Sequence, residues 1–135
     1  MQNKTLKERT ITNAFSAKNI GSSGLRLKNS FIKSATFEGM YSDGIPNQQL
    51  IDHHVALAKG GVGMTTVSYG AVSADARTFD KQMYVNDESL KALKVLAQKV
   101  HEAGSKVSIQ LTHCGYFSKN KSASCWETNT ERSKR

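Results

Sequence analysis

The sequence predicts an α/β fold built from parallel βαβ units. Two observations carry this expectation. Short β-prone runs alternate with two helical patterns longer than ten residues, in the order strand, helix, strand, helix, strand. Glycines stand where each helix should stop, at Gly60-Gly61 and Gly104. Strands joined through such helices run parallel, with right-handed crossovers.

Residues 1–24 show no strong apolar periodicity and end in Gly21-Ser22-Ser23-Gly24, a flexible turn. Leu25 and Leu27 alternate with Arg26 and Lys28, which suggests a short strand. The run from Phe31 to Phe37 has strand character, because Phe31, Ile32 and Thr36 favour extended backbone. Met40 to Gly44 reads as a loop closed by the turn dipeptide Asp43-Gly44. Pro46-Asn47 opens the first helix, with Asn47 as its cap. Leu50, Ile51, His54, Val55, Leu57 and Ala58 recur there at helical spacing. Val62 to Val67 is short and mostly apolar or β-branched, as suits a strand covered on both faces. A polar loop over 73–86 contains Arg77 and leads to Asp87, read as the cap of the second helix. Leu90, Leu93, Leu96, Ala97, Val100 and Ala103 share one side of that helix. Val107 to Leu111 is the third strand.

The chain has 135 residues and a formal charge of +8, a length that fits one domain. The charge is uneven. Residues 1–33 hold seven Lys/Arg against one acid, residues 34–118 seven against eight, and residues 119–135 five against two. The basicity therefore reads as a partly disordered leader over 1–24 and a disordered polar tail over 118–135, around a near-neutral segment over 25–117. A nucleic-acid domain would interleave its bases with aromatics on one folded face, so no nucleic-acid partner is expected. No run approaches a membrane span and the start lacks an apolar signal core, so a cytoplasmic protein with no membrane contact is expected. Two cysteines, Cys114 and Cys125, exclude a disulfide scaffold.

No GxGxxG follows a strand and no GxxxxGK[ST] occurs, so neither a Rossmann site nor a P-loop is indicated. His53 and His54 are adjacent on a helix and point about 100° apart, which excludes a shared metal. Cys114 and Cys125 lack CxxC spacing, and no metal site is expected. His113, just after the third strand, reads as a packed, hydrogen-bonded imidazole. In parallel α/β sheets, ligands bind beyond the carboxyl ends of the strands. That rule selects Ser34-Ala35-Thr36, Ser68-Tyr69-Gly70 and the stretch from Gln110 to Gly115. Their small and polar residues let backbone amides approach a flat ligand.

Three segments occur in order: LKNSFIKSATFEGMYSDG, LAKGGVGMTTVSYGAV and VHEAGSKVSIQLTHCG. Together they resemble the N-terminal part of the Old Yellow Enzyme family, the FMN-dependent NADH:flavin oxidoreductases, over roughly residues 20–117. The GGVG after a helix and the QLxHxG ending a strand weigh most. The resemblance implies the N-terminal part of a (β/α)8 TIM barrel, with about three strands and two helices in this chain. It implies FMN at the strand C-termini, NAD(P)H as reductant, and a small-molecule substrate such as an activated alkene. By the same resemblance Ser34, Ala35 and Thr36 line the flavin, and Tyr69 lies beside the isoalloxazine. Gln110 would meet the flavin's pyrimidine edge, which suits an amide offering both donor and acceptor.

The chain departs from the family at Ser30, where Arg is frequent, and at Ala35, where Pro is. Phe37 stands where a Thr or Cys often tunes the flavin, and Tyr116 where Arg is common. The family's catalytic residues and FMN phosphate site come later than these segments, so no catalytic residue is assigned. The chain is accordingly expected to be a truncated fragment, inactive alone and short of most of the free energy of FMN binding. The alternative is a non-catalytic fragment that pairs or self-associates through an open sheet edge.

Overall fold

The computed structural model of the protein describes residues 13–119. Residues 1–12 of the expected leader and 120–135 of the expected tail lie outside the described residues. Strands β1 (Lys18–Ile20) and β2 (Leu25–Leu27) form an antiparallel hairpin, with Lys18 opposite Leu27. The hairpin spans the segment boundary expected at residue 24.

A parallel three-stranded sheet forms the body. Its order is β3 (Ile32–Lys33), then β6 (Met64–Ala71), then β7 (Lys106–Thr112). Helices α1 (Gln48–Lys59) and α2 (Asp87–Glu102) are the crossovers between them. Between β3 and α1 the chain also makes a small hairpin, β4 (Tyr41–Ser42) with β5 (Ile45–Pro46). The loop expected over Met40–Gly44 therefore contains a strand. Its turn is Asp43-Gly44 as expected, with φ of 51° and 81°, values that favour glycine and tolerate aspartate.

The first strand is shorter than the run Phe31–Phe37. Only Ile32 and Lys33 pair with β6, opposite Met64 and Thr65. Beyond Lys33 the chain leaves the sheet and turns back, and the Lys33 ammonium bonds the Glu38 carboxylate across the intervening residues. The second strand is longer than Val62–Val67, because β7 runs beside it as far as Ala71.

Both helix starts follow side-chain capping. The Asn47 side chain accepts the Leu50 N–H. For α2 the cap is Asn86 rather than Asp87. Asn86 Oδ1 accepts the Ser89 N–H at 2.8 Å and Ser89 Oγ accepts the Asn86 N–H at 3.0 Å. Three residues after Asp87 stands Leu90, which cannot reciprocate, so the box closes one residue earlier. Asp87 and Glu88 fall in the first turn, near the positive end of the helix dipole.

The core lies between helices and sheet. Leu50, Ile51 and Ala58 of α1, Val67 of β6, Met83, and Leu96 and Val100 of α2 form one buried cluster. Leu90, read with the core side of α2, is 51% exposed. No helix among the described residues is long and apolar enough to cross a membrane.

Asn29 and Gly63 fix β3 against the start of β6. Asn29 Nδ2 donates to the Gly61 carbonyl at 2.7 Å, and its Oδ1 accepts the Phe31 N–H. A Cβ at Gly63 would lie 2.5 Å from the Asn29 carbonyl oxygen. Gly63→Ala is therefore expected to destabilise the fold by more than Asn86→Ala, which should cost about 1 kcal/mol. Urea unfolding of both variants measures the difference, and equal losses would contradict the close approach.

Candidate functional site

The three sequence-selected places come together at one end of the sheet. Ser34, Ala35 and Thr36 directly follow β3. Ser34 and Thr36 are exposed and Ala35 is half-buried. Ser68, Tyr69 and Gly70 lie inside the C-terminal half of β6, and Gln110 lies inside β7, rather than after these strands. The β6–β7 register runs evenly to Val67 opposite Ile109, then resumes at Gly70 opposite Leu111. Ser68 and Tyr69 together therefore oppose the single residue Gln110. This β-bulge re-aims the strand at that point, as bulges beside functional sites do. It brings Tyr69 and Gln110 to one level of the sheet.

The bulge is held by side chains. Glu38 Oε2 accepts the Ser68 N–H at 2.9 Å. The Tyr41 hydroxyl donates to the Ser68 carbonyl. Glu38 Oε1 bonds the Lys33 ammonium, which also donates to the Thr66 carbonyl at 3.2 Å. The Glu38 side chain is only 4% exposed. Burial pushes the Tyr41 phenol far above its ordinary value, with Glu38 and then Tyr69 adding to the rise. Tyr41 consequently remains a hydroxyl donor throughout the physiological range.

Behind this cluster lies His54 of α1, with its side chain fully buried. His54 Nδ1 is 2.7 Å from Thr65 Oγ1 and Nε2 is 3.6 Å from Glu38 Oε1. A carboxylate on that side favours the tautomer protonated at Nε2, leaving Nδ1 to accept from the Thr65 hydroxyl. Burial, the Lys33 ammonium and His53 lower the His54 value from 6.5 to about 4. The sheet's other face carries a second polar contact, Thr66 Oγ1 to Ser108 Oγ at 2.9 Å.

Over the strand ends lies a cluster of rings. Phe37, 52% exposed, packs against Tyr69 at 5.7 Å, Phe79 at 5.6 Å and Tyr41 at 6.4 Å between centroids. The loop that supplies Phe79 is braced by Arg77, whose guanidinium lies 5.1 Å over the Tyr84 ring and donates to the Ala74 carbonyl. His113 is exposed rather than packed, and its Nδ1 accepts the Gly115 N–H at 3.0 Å. No group of three or more His, Cys, Asp or Glu that could hold a metal occurs among the described residues.

Of the selected places only Ser34–Thr36 follows its strand, and the side chains that hold all three places carry no motif of their own in the sequence. Glu38, Tyr41, His54 and Lys33 received no site role. The available signal was an acid five residues beyond a lysine, on either side of the small residues Ser34-Ala35-Thr36.

This geometry defines a class: the opening βαβαβ portion of a (β/α)8 barrel, a fold whose ligands bind at the strand C-termini. The model of the NADH:flavin oxidoreductase / NADH oxidase family matches residues 15–130, and the chain belongs to that family. It is 37% identical over 91 residues to the 4,4'-dithiodibutanoate disulfide reductase of Rhodococcus erythropolis, covering 67% of this chain and 23% of that protein. With the NADPH dehydrogenase of Listeria welshimeri it shares 38% identity over 95 residues, covering 66% of this chain and 27% of the relative. Its fold matches the crystal structure of Old Yellow Enzyme from Pichia sp. with a TM-score of 0.72 at 18% identity, over 78% of this chain and 28% of that one. The chain thus spans about a quarter of the length of the relatives it matches.

The His54 environment sets a pH dependence. Its folded value lies below its unfolded one, so the neutral form is the one the fold stabilises. That contribution is complete above pH 6.5 and is lost as pH falls towards about 4. Urea titrations from pH 7 to pH 4.5 should show stability falling by up to about 3 kcal/mol, and His54→Gln should flatten that slope. A slope unchanged by the substitution would exclude His54 as its source.

Proposed function

We propose that this chain contributes the first three strands of an FMN-dependent NAD(P)H oxidoreductase barrel. FMN, when bound, would supply hydride chemistry between NAD(P)H and a small-molecule acceptor. The observation that carries the reading is the bulge, which sets Tyr69 and Gln110 at one level beside Ser34, Ala35 and Thr36.

The residues present suit one edge of a flavin. The Gln110 amide is exposed and, among the described residues, has no hydrogen-bond partner, so its donor and its acceptor are both available. Ser34 and Thr36 add exposed hydroxyls at the adjoining strand end. The rings of Phe37 and Tyr69 would exclude water from the same edge. Phe37 offers no hydrogen bond there, so Gln110 would be the principal polar contact to the ring system. Phosphate sites on this fold usually follow strands seven and eight. On this reading the 135-residue chain alone holds FMN weakly and does not turn over substrate.

A second reading draws on the sheet's margins. Among the described residues, β3 and β7 are each paired on one side only. Between α2 and β7 a mostly apolar groove is lined by Leu93, Leu96, Ala97, Val107, Ser108 and Ile109, and Leu111 of β7 is 53% exposed. Such an edge accepts another strand, which fits a non-catalytic fragment that pairs with a copy of itself or a relative. Size-exclusion chromatography with a full-length family member distinguishes it: a stable heteromer favours this reading.

The flavin reading is tested by titrating the purified chain with FMN and following flavin fluorescence. Saturable quenching is expected, and Gln110→Leu should weaken it about tenfold, the value of one or two hydrogen bonds. NADPH oxidation with an enone should stay at background. Equal affinity in both proteins would remove Gln110 from the site, and turnover by the chain alone would overturn the expected inactivity.

A further inference from the structure

We propose that Glu38 and Tyr41 are positioning residues that build the β6 bulge and so set the geometry of the ligand edge. The inference rests on the flavin reading for what that edge holds, though not for how the edge is held.

Ser68 is the first of the two residues facing Gln110, and both of its backbone polar groups are bonded to side chains. Its N–H goes to Glu38 and its carbonyl to Tyr41. In a parallel ladder both backbone groups of a residue face one neighbour, and successive residues alternate. Met64 and Thr66 face the β3 side, so Ser68 does too, at a level where β3 has already ended at Lys33. Its buried groups require other partners. Ser68 is 2% exposed, too enclosed for bulk water to serve. The two side chains therefore take the place of β3 beside Ser68 and hold it where two residues of β6 come to oppose one of β7.

The same carboxylate controls the neighbouring loop. Through Lys33, Glu38 joins the end of β3 to the residue just past Phe37, so the segment Ser34–Phe37 becomes an arch pinned at both ends. Through Ser68 that arch is tied to β6. Tyr41 adds a third point, since its ring also lies 6.4 Å from Phe37. Every sequence-selected ligand residue is then placed by one device: Ser34, Ala35 and Thr36 on the arch, and Tyr69 and Gln110 across the bulge. Glu38 and Tyr41 themselves act through the residues they hold.

Amide hydrogen exchange and NMR on the flavin-free 135-residue chain test this with Glu38→Ala, Glu38→Gln and Tyr41→Phe. Both Glu38 variants remove the charge partner of Lys33, but only Gln keeps an acceptor for the Ser68 N–H. Protection of the Ser68 and Tyr69 amides is expected to fall at least tenfold in Glu38→Ala relative to Glu38→Gln, with Thr65–Val67 unchanged between them. Tyr41→Phe retains the ring and should still displace the Tyr69 ring resonances that pack on Phe37. Equal protection in the two Glu38 variants, or a loss spread evenly along β6, would overturn the proposal, as would an unmoved Tyr69 in Tyr41→Phe. FMN titration of the same proteins is read separately. Affinity at least tenfold weaker in Glu38→Ala than in Glu38→Gln supports the proposal. Wild-type chain that fails to quench flavin would defeat the flavin reading, while the exchange comparison still decides the role of Glu38.

Discussion

A buried carboxylate organises the functional end of this sheet. Glu38 is 4% exposed and yet is bonded to a lysine ammonium and a backbone N–H, with an imidazole 3.6 Å away. Its three neighbours come from different elements: Lys33 ends β3, Ser68 lies in β6, and His54 belongs to α1. A single side chain thus reports to the strand before it, the strand after it and the helix between them. The geometry of the strand ends depends on that convergence more than on the apolar cluster below. The cluster of Leu50, Val67, Leu96 and Val100 determines that helices cover the sheet, without determining where Tyr69 points.

The parts of the fold governed by local chemistry were legible in the residues. Asn47 caps α1 because its side chain reaches an N–H three positions on, which sequence displays. Gly60-Gly61 and Gly104 end their helices for a conformational reason that needs no tertiary partner; Gly61 and Gly104 adopt φ of 101° and 78°. The order of strands and helices followed from periodicity for the same reason. Where two local solutions compete, sequence alone fixes the boundary only to within a residue. Asn86 and Asp87 are both good caps, and the choice fell to Ser89, whose hydroxyl reciprocates only with Asn86.

The parts governed by distant contacts were not legible. The small hairpin of β4 and β5 has two residues per strand, too few to show a period. Phe31–Phe37 has the composition of a strand, and nothing local reveals that pairing with β6 stops at Lys33. The bulge leaves no mark on the sequence of β6, because it arises from bonds to residues 27 and 30 positions away. Ser34–Thr36, Tyr69 and Gln110 could be selected from sequence because strand ends are a topological rule. The residues that hold them escaped because holding is a tertiary relation. Among the described bases, Lys33 is half-buried and serves the fold through Glu38 and the Thr66 carbonyl.

The choice of ionic groups at this point has a physical logic. Desolvating a carboxylate and an ammonium costs several kcal/mol each, and a well-packed apolar pair of the same volume often serves stability as well or better. Stability alone does not explain Lys33 and Glu38. An apolar pair would leave the Ser68 N–H and the Thr66 carbonyl without the bonds they make now, each a penalty of about 1–3 kcal/mol. The β3 side of β6 would then carry unpaired groups just where the register with β7 shifts, and nothing would hold Ser68 in place there. With a regular ladder, a one-residue shift would turn alternate side chains of β6 to the opposite face, and Tyr69 would leave the level of Gln110. A charged pair is therefore suited to this position because its directed bonds select one register of β6 over another. That selection is what keeps Tyr69 and Gln110 at one level of the sheet.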